Sequence, residues 1–170
     1  MKWYDNTDSL CRKGYGRLWI LRRLARLGAT RTDTLDVYQK QIRSVLELAV
    51  PVWGPGLTKE EEKQIERVQK AAFRIILGPS YTTYEEALET LEYETLADRR
   101  QMISLNFAKR ALKHNKYRYW FQQQQQQSSV KPNTRAQKYK QNRFVPVPFR
   151  TVRYRDSPIP YLTKLLNSME

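Results

Sequence analysis

The chain has 170 residues, with 31 Lys and Arg against 17 Asp and Glu, a net charge of +14 and a hydrophobic share of 40%. That length suits one domain with an appendage, the charge points to a polyanionic partner and away from a metal-loaded carboxylate protein, and the apolar share exceeds that of a chain disordered throughout. A single cysteine, Cys11, excludes an internal disulfide, and a single histidine, His114, leaves too few soft ligands for a structural zinc site.

The opening residues, Met1-Lys2-Trp3-Tyr4-Asp5-Asn6, lack the charged head and apolar stretch of a secretory leader. The longest apolar runs, Leu18 to Leu21 and Leu48 to Trp53, are far shorter than the roughly 20 residues that cross a bilayer. The expected location is intracellular, nucleus or cytoplasm, with no membrane partner.

Charge is distributed in blocks. Residues 1–98 carry 15 basic and 15 acidic side chains, whereas residues 99–170 carry 16 and 2. Within the balanced part, residues 1–31 hold 8 basic and 2 acidic residues, so cationic ends flank an acidic middle.

From Thr7 to Leu27, Leu10, Leu18, Leu21 and Ala25 recur at helical spacing, widened by Tyr15, Ile20, Leu24 and Leu27, and Gly28 supplies a stop. Gly14 and Gly16 weaken its first half. Its remaining surface is cationic: Arg12, Lys13, Arg17, Arg22, Arg23 and Arg26, with no acid between Ser9 and Ala29. Such a face can follow a phosphate backbone or lie on anionic lipid. Trp19 reads as a core residue.

A second amphipathic helix is predicted from the cap Thr32 through Leu35, Tyr38, Ile42, Val45, Leu46 and Ala49, ended by Pro51. Thr58 with Glu61 has capping-box spacing and opens a third, with Ile65, Val68, Ala72, Ile75 and Ile76 inward and Gly78-Pro79 as its close. Thr83 with Glu86 starts a short fourth helix on Ala87, Leu88 and Leu91. Thr95 with Asp98 starts a longer fifth, in which Leu96, Ile103, Phe107 and Ala111 form one line, with Leu105, Ala108 and Leu112 beside it. Arg99, Arg100, Lys109, Arg110 and Lys113 fall on its other faces.

After His114 the periodicity fails. Six glutamines, Gln122 to Gln127, lead through Ser128 and Ser129 to Lys131-Pro132-Asn133, a low-complexity linker. The tail beyond reads as irregular, with Pro146 and Pro148 breaking any helix, until Pro160 to Asn167 close with a short helix whose apolar side is Tyr161, Leu162, Leu165 and Leu166. The fold class is all-α: a small helical bundle, a linker and a basic, mostly irregular tail.

No catalytic constellation is present, and the chain on its own is read as a non-enzyme without metal or cofactor. Glu60, Glu61 and Glu62 point in different directions round a helix and complement its dipole, as do Glu85 and Glu86. His114 suits a helix C-terminus, and Cys11 is either a small apolar filler or a thiol with a pKa lowered by its basic helix. The strongest physical signal lies between Asn115 and Tyr161, where ten basic residues and nine aromatics meet Asp156 alone. Cations neutralise phosphates while aromatic faces accept unpaired bases. The alternative is a solvated tail whose Trp120 and Phe121 dock back on the helices. Candidate nucleic-acid-binding residues are Arg12, Lys13, Arg17, Arg22, Arg23, Arg26, Lys138, Lys140, Arg143, Arg150, Arg153 and Arg155.

The ordered motifs Arg17-Leu18-Trp19-Ile20-Leu21-Arg22-Arg23-Leu24, Leu27-Gly28, Asp36-Val37-Tyr38, Ile42-Arg43-Ser44-Val45-Leu46-Glu47 and Ala49-Val50-Pro51-Val52-Trp53 carry a resemblance. So do Leu57-Thr58, Ile65-Glu66-Arg67-Val68-Gln69-Lys70, Arg74-Ile75-Ile76-Leu77-Gly78 and Ser157 to Asn167. The chain resembles the region C-terminal to the palm in reverse transcriptases of jockey-like, non-LTR (LINE-like) retrotransposons, over most of residues 2–115 and the short terminus, the glutamine run excepted.

That resemblance implies a helical thumb followed by a basic segment; joined to the compositional reading, the chain divides into a thumb-like domain at residues 1–116, a glutamine-containing linker at 117–134 and a basic aromatic tail at 135–170. It implies clamping of RNA or an RNA/DNA duplex beside a palm supplied upstream or in trans. The family's catalytic aspartates belong to motifs that map onto no residue here, and Met1 is expected to begin a fragment. Two rivals stand beside this reading: a helical protein-interaction module left from a degenerate element, and one piece of a split polymerase.

Overall fold

The computed structural model describes residues 3–121 and 144–168. Among them the regular structure is helical, with no β-strand. The chain divides into two compact units, residues 1–101 and 102–170. This differs from the sequence-based division at 116 and 134, because residues beyond Gln101 share an apolar cluster with the C-terminal segment.

In the first unit, α1 (Tyr4–Arg26) ends at Gly28, whose φ of 76° allows the Ala29 and Gly28 amides to donate to the carbonyls of Leu24 and Ala25. The next helix is capped by Thr30, not Thr32: its hydroxyl accepts from the Asp33 amide while the Asp33 carboxylate accepts from the Thr30 amide, so Thr32 lies inside α2 (Arg31–Val37). The single helix expected up to Pro51 is interrupted. It widens into a π-helical turn at Tyr38–Arg43, continues as α3 (Ser44–Leu46) and breaks at Ala49, which is exposed with a φ of 55°. Pro51 does not end that helix but sits in the first turn of α4 (Val50–Trp53), where its missing N–H costs nothing. The Trp53 indole N–H, donating to the Leu48 carbonyl at 2.6 Å, fastens the break.

Helix α5 (Lys59–Leu77) has the Thr58–Glu61 capping box. Ile65, Val68 and Ala72 are buried as expected; Gln69, Phe73 and Leu77 join them, while Ile75 and Ile76 are half-buried. The buried arc is broad because α5 packs on α1 along one side and meets an aromatic cluster on the other. Phe73 lies 5.4 Å from Tyr38, 5.5 Å from Tyr93 and 6.2 Å from Tyr84, centroid to centroid. Helix α6 (Tyr84–Leu91), capped by Thr83, contributes Tyr84, Ala87 and Leu91.

A polar chain threads this core. Tyr38 donates to Gln69 Oε1, and Gln69 Nε2 donates to Tyr84 Oη at 2.8 Å and to the Glu94 carbonyl at 3.0 Å. Tyr84 in turn donates to Glu66, which also accepts from the Leu96 amide. The start of the following helix is thereby tied to the middle of α5.

Helix α7 (Leu96–Lys113) has the Thr95–Asp98 cap. Its buried line is Leu96, Arg100, Ser104, Ala108 and Ala111. The expected line through Ile103 and Phe107 is wrong by one position, and Phe107 is 40% exposed. Hydrophobic periodicity cannot find a stripe that contains Arg and Ser.

In the second unit, Ala108, Ala111, Phe121, Phe144, Leu162, Leu165 and Leu166 form the core. Arg118–Trp120 make a 3-10 turn, so residues 117–121 are packed structure and not linker. Part of the tail read as irregular is helical: α8 (Val152–Arg155), capped by Thr151, precedes α9 (Pro158–Asn167). Asn167 grips Phe144 at two points, its Oδ1 accepting from the amide and its Nδ2 donating to the carbonyl, each at 3.0 Å.

Candidate nucleic-acid interface

An α-helix turns by about 100° per residue, so side chains three, four and seven apart share a face. In α1 the buried face holds Thr7, Leu10, Cys11, Gly14, Leu18 and Leu21. On the exposed arc away from it lie Arg12, Tyr15, Trp19, Arg22, Arg23 and Arg26, of which only Arg12, four residues away, pairs with the nearest acid on the helix, Asp8. From Arg12 to Arg26 this face runs about 21 Å along the axis.

The six α1 cations are not equivalent. Arg22, Arg23 and Arg26 are exposed and, among the described residues, take no part in an ion pair or side-chain hydrogen bond. Arg12 pairs with Asp8 at 2.5 Å, but its side chain is 80% exposed, and a pair so wetted is weakly held. Two expected members fall elsewhere. Arg17 is half-buried and donates to the Gln41 carbonyl at 2.5 Å, bracing α1 against the π-helical turn. Lys13 is exposed on another side of the helix, because it stands nine residues from Arg22, two and a half turns.

Trp19, expected in the core, is 61% exposed and lies amid these guanidinium groups. No ring or cation stacks on it among the described residues. Apolar character alone points it inward; its position about 100° from Leu18 and about 140° from Gly14 is the sequence signal that places it with the arginines. Tyr15, one turn earlier, faces a cleft shared with Asp8, Arg12, Gln64 and Arg67.

In the second unit Arg150, Arg153 and Arg155 are exposed, and Arg155 pairs with Asp156 at 2.7 Å. Lys138, Lys140 and Arg143 lie outside the described residues, as does the glutamine run. Phe121 packs edge-on to Phe144 at 6.3 Å and Trp120 lies 4.9 Å from Tyr117, so both dock inward. Tyr119, Phe149 and Tyr154 remain exposed beside the arginines.

Two arginines of α7 serve the fold. Arg99 donates to Glu47 at 2.6 Å and Glu94 at 3.2 Å, and the hydrogen bond to Glu47 raises its pKa. Arg100 does not occupy an outer face: it is buried, 3.7 Å from Glu62, beyond hydrogen-bonding reach. His114 accepts from the Lys116 amide through Nδ1 and lies over Tyr117, so it does not cap carbonyls. Cys11 is a buried filler, and its pKa is raised to about 11 by burial and then by Asp8, the reverse of activation. Among the described residues no group of three His, Cys, Asp or Glu converges on a metal position, and no helix is long and apolar enough to cross a membrane.

Among the described residues the protein is all-α, and α1 carries a cationic face in which Trp19 stands. Comparison of the chain with protein-family models, with curated proteins and with solved structures found no match in any of the three.

Proposed function

We propose that the protein is a non-catalytic nucleic-acid-binding module that grips RNA or an RNA/DNA duplex through its phosphates. The observation that carries this reading is the triplet Arg22, Arg23 and Arg26, exposed on one helix face without an acidic partner. Guanidinium groups so placed replace condensed counterions on a polyanion, which favours binding through ion release. Arg150 and Arg153 of the second unit add to the same chemistry. The order of motifs along the chain supports its assignment as the thumb and downstream region of a LINE-like reverse transcriptase, acting beside a palm domain.

The test is titration of a labelled RNA/DNA hybrid across a salt series. Log K is expected to fall against log salt by about 0.7–0.9 per phosphate neutralised. Replacing Arg22, Arg23 and Arg26 together by Ala is expected to weaken binding and flatten that slope while leaving the helical circular dichroism unchanged. Absent or salt-independent binding overturns the proposal.

A protein-interaction module is the second reading, favoured by the exposed Leu48 and Val52 that flank the Ala49 break. Concentration-dependent sedimentation of the nucleic-acid-free chain, abolished by Leu48→Ser with Val52→Ser, supports it.

A further inference from the structure

Trp19 is the largest side chain on the arginine face, and it takes no place in the buried core. Its ring is mostly in solvent, is not partnered by another ring or cation among the described residues, and lies between Arg12 and Tyr15 on one side and Arg22, Arg23 and Arg26 on the other. Left in solvent, the indole forgoes the free energy that burial would return, and a flat apolar ligand laid on it recovers that gain. Charge selects among ligands: from Ser9 to Ala29 the helix carries no acid, which suits a polyanion and opposes a basic or neutral protein surface.

We infer that Trp19 is a stacking platform for an unpaired nucleobase, with Arg22, Arg23 and Arg26 holding the adjacent phosphates, so that α1 takes a single-stranded stretch of the nucleic acid and not only its duplex. The inference rests on the nucleic-acid reading of the arginine face and deepens it. Within a duplex each base is already covered above and below by its neighbours, leaving the indole only an end pair to meet. An unpaired base offers both faces, and an aromatic stack on it is indifferent to which base it is. Gly16, three residues before Trp19, reinforces the geometry. A Cβ there would meet nothing within 4 Å, so the approach to the indole from the N-terminal side is open.

The experiment compares the full chain, Trp19→Ala and Trp19→Phe on three labelled probes: an oligouridylate of about 16 nucleotides, its abasic counterpart with the same phosphates, and a blunt RNA/DNA hybrid. For Trp19→Ala the expected result is a loss of about tenfold or more in affinity for the oligouridylate, with the salt slope unchanged. Binding of the abasic strand and the blunt hybrid stays within about twofold, and Trp19→Phe retains most of the affinity. The oligouridylate quenches indole emission in the parent chain, and that component is missing in Trp19→Ala.

Equal affinity of Trp19→Ala and parent for the oligouridylate, with a normal salt slope, overturns the stacking role and leaves the arginine face standing. An equal loss on all three probes also overturns it, since that is a structural effect. Self-association abolished by Trp19→Ala without change in oligonucleotide affinity assigns the indole to a protein contact. A flat salt slope for the parent chain on every probe instead removes the arginine-face reading itself.

Discussion

Gly14 of α1 sits directly against Val68 of α5: a Cβ on Gly14 would come within 2.9 Å of Val68 Cγ1 and 3.2 Å of Leu46 Cδ2. The two helices run in the same direction, since Tyr4 lies beside Thr58 and Gln64, and Gly14 beside Val68. Closeness at this one point lets α1 bury one face against α5 and α3 and turn its arginine face outward.

Gly14→Ala is therefore expected to destabilise the protein by about 1–3 kcal/mol, the usual cost of overpacking. Gly16→Ala, with open space round it, is expected to stabilise it by about 1 kcal/mol through helix propensity. Urea denaturation of both variants checks the pair; two shifts of the same sign would show that Gly14 is not a packing position.

Gln69→Leu strips partners from the buried hydroxyls of Tyr38 and Tyr84 and from the Glu94 carbonyl. The expected loss is about 1–3 kcal/mol. Tyr84 keeps its bond to Glu66, so adding Tyr38→Phe removes the hydroxyl left without a partner and is expected to recover part of the loss, because two matched apolar groups cost less than one unpaired polar group. A double-mutant cycle by thermal unfolding measures the recovery.

Asn167→Ala breaks both bonds to the Phe144 backbone. Faster amide hydrogen exchange at Phe144 and a loss of about 1–2 kcal/mol in the second unit are expected. Exchange in α5 stays as in the parent chain.

Burial raises the Cys11 thiol from its ordinary value of 9.0 to about 11. A group whose pKa is higher in the folded than in the unfolded chain contributes stability that is present below the unfolded value and is lost as pH rises through the folded one. Stability is thus expected to decline between about pH 9 and 11, and Cys11→Ala to flatten that decline. Iodoacetamide is expected to label the native chain slowly near neutral pH and the urea-unfolded chain fast, read by mass spectrometry.

Much of this architecture was legible residue by residue. Leu10, Leu18 and Leu21, the capping box Thr58–Glu61, the caps Thr83 and Thr95, and the stops at Gly28 and Gly78 are local signals, and local hydrogen bonding and helical period are what they encode. The run of arginines was equally plain, since charge needs no fold to be counted. What had to wait was everything that depends on a neighbour from elsewhere in the chain. Arg17 and Arg100 look like any exposed cation until the π-helical turn and Glu62 come alongside, and Trp19 looks like core until α5 covers the opposite face. Gly14 reads as a helix weakener until Val68 and Leu46 occupy the space its absent side chain leaves. A period in the sequence says that one face is buried; which arc it is, and which cations remain free for a ligand, is decided by the helices packed against it, because burial belongs to pairs of surfaces and not to single residues.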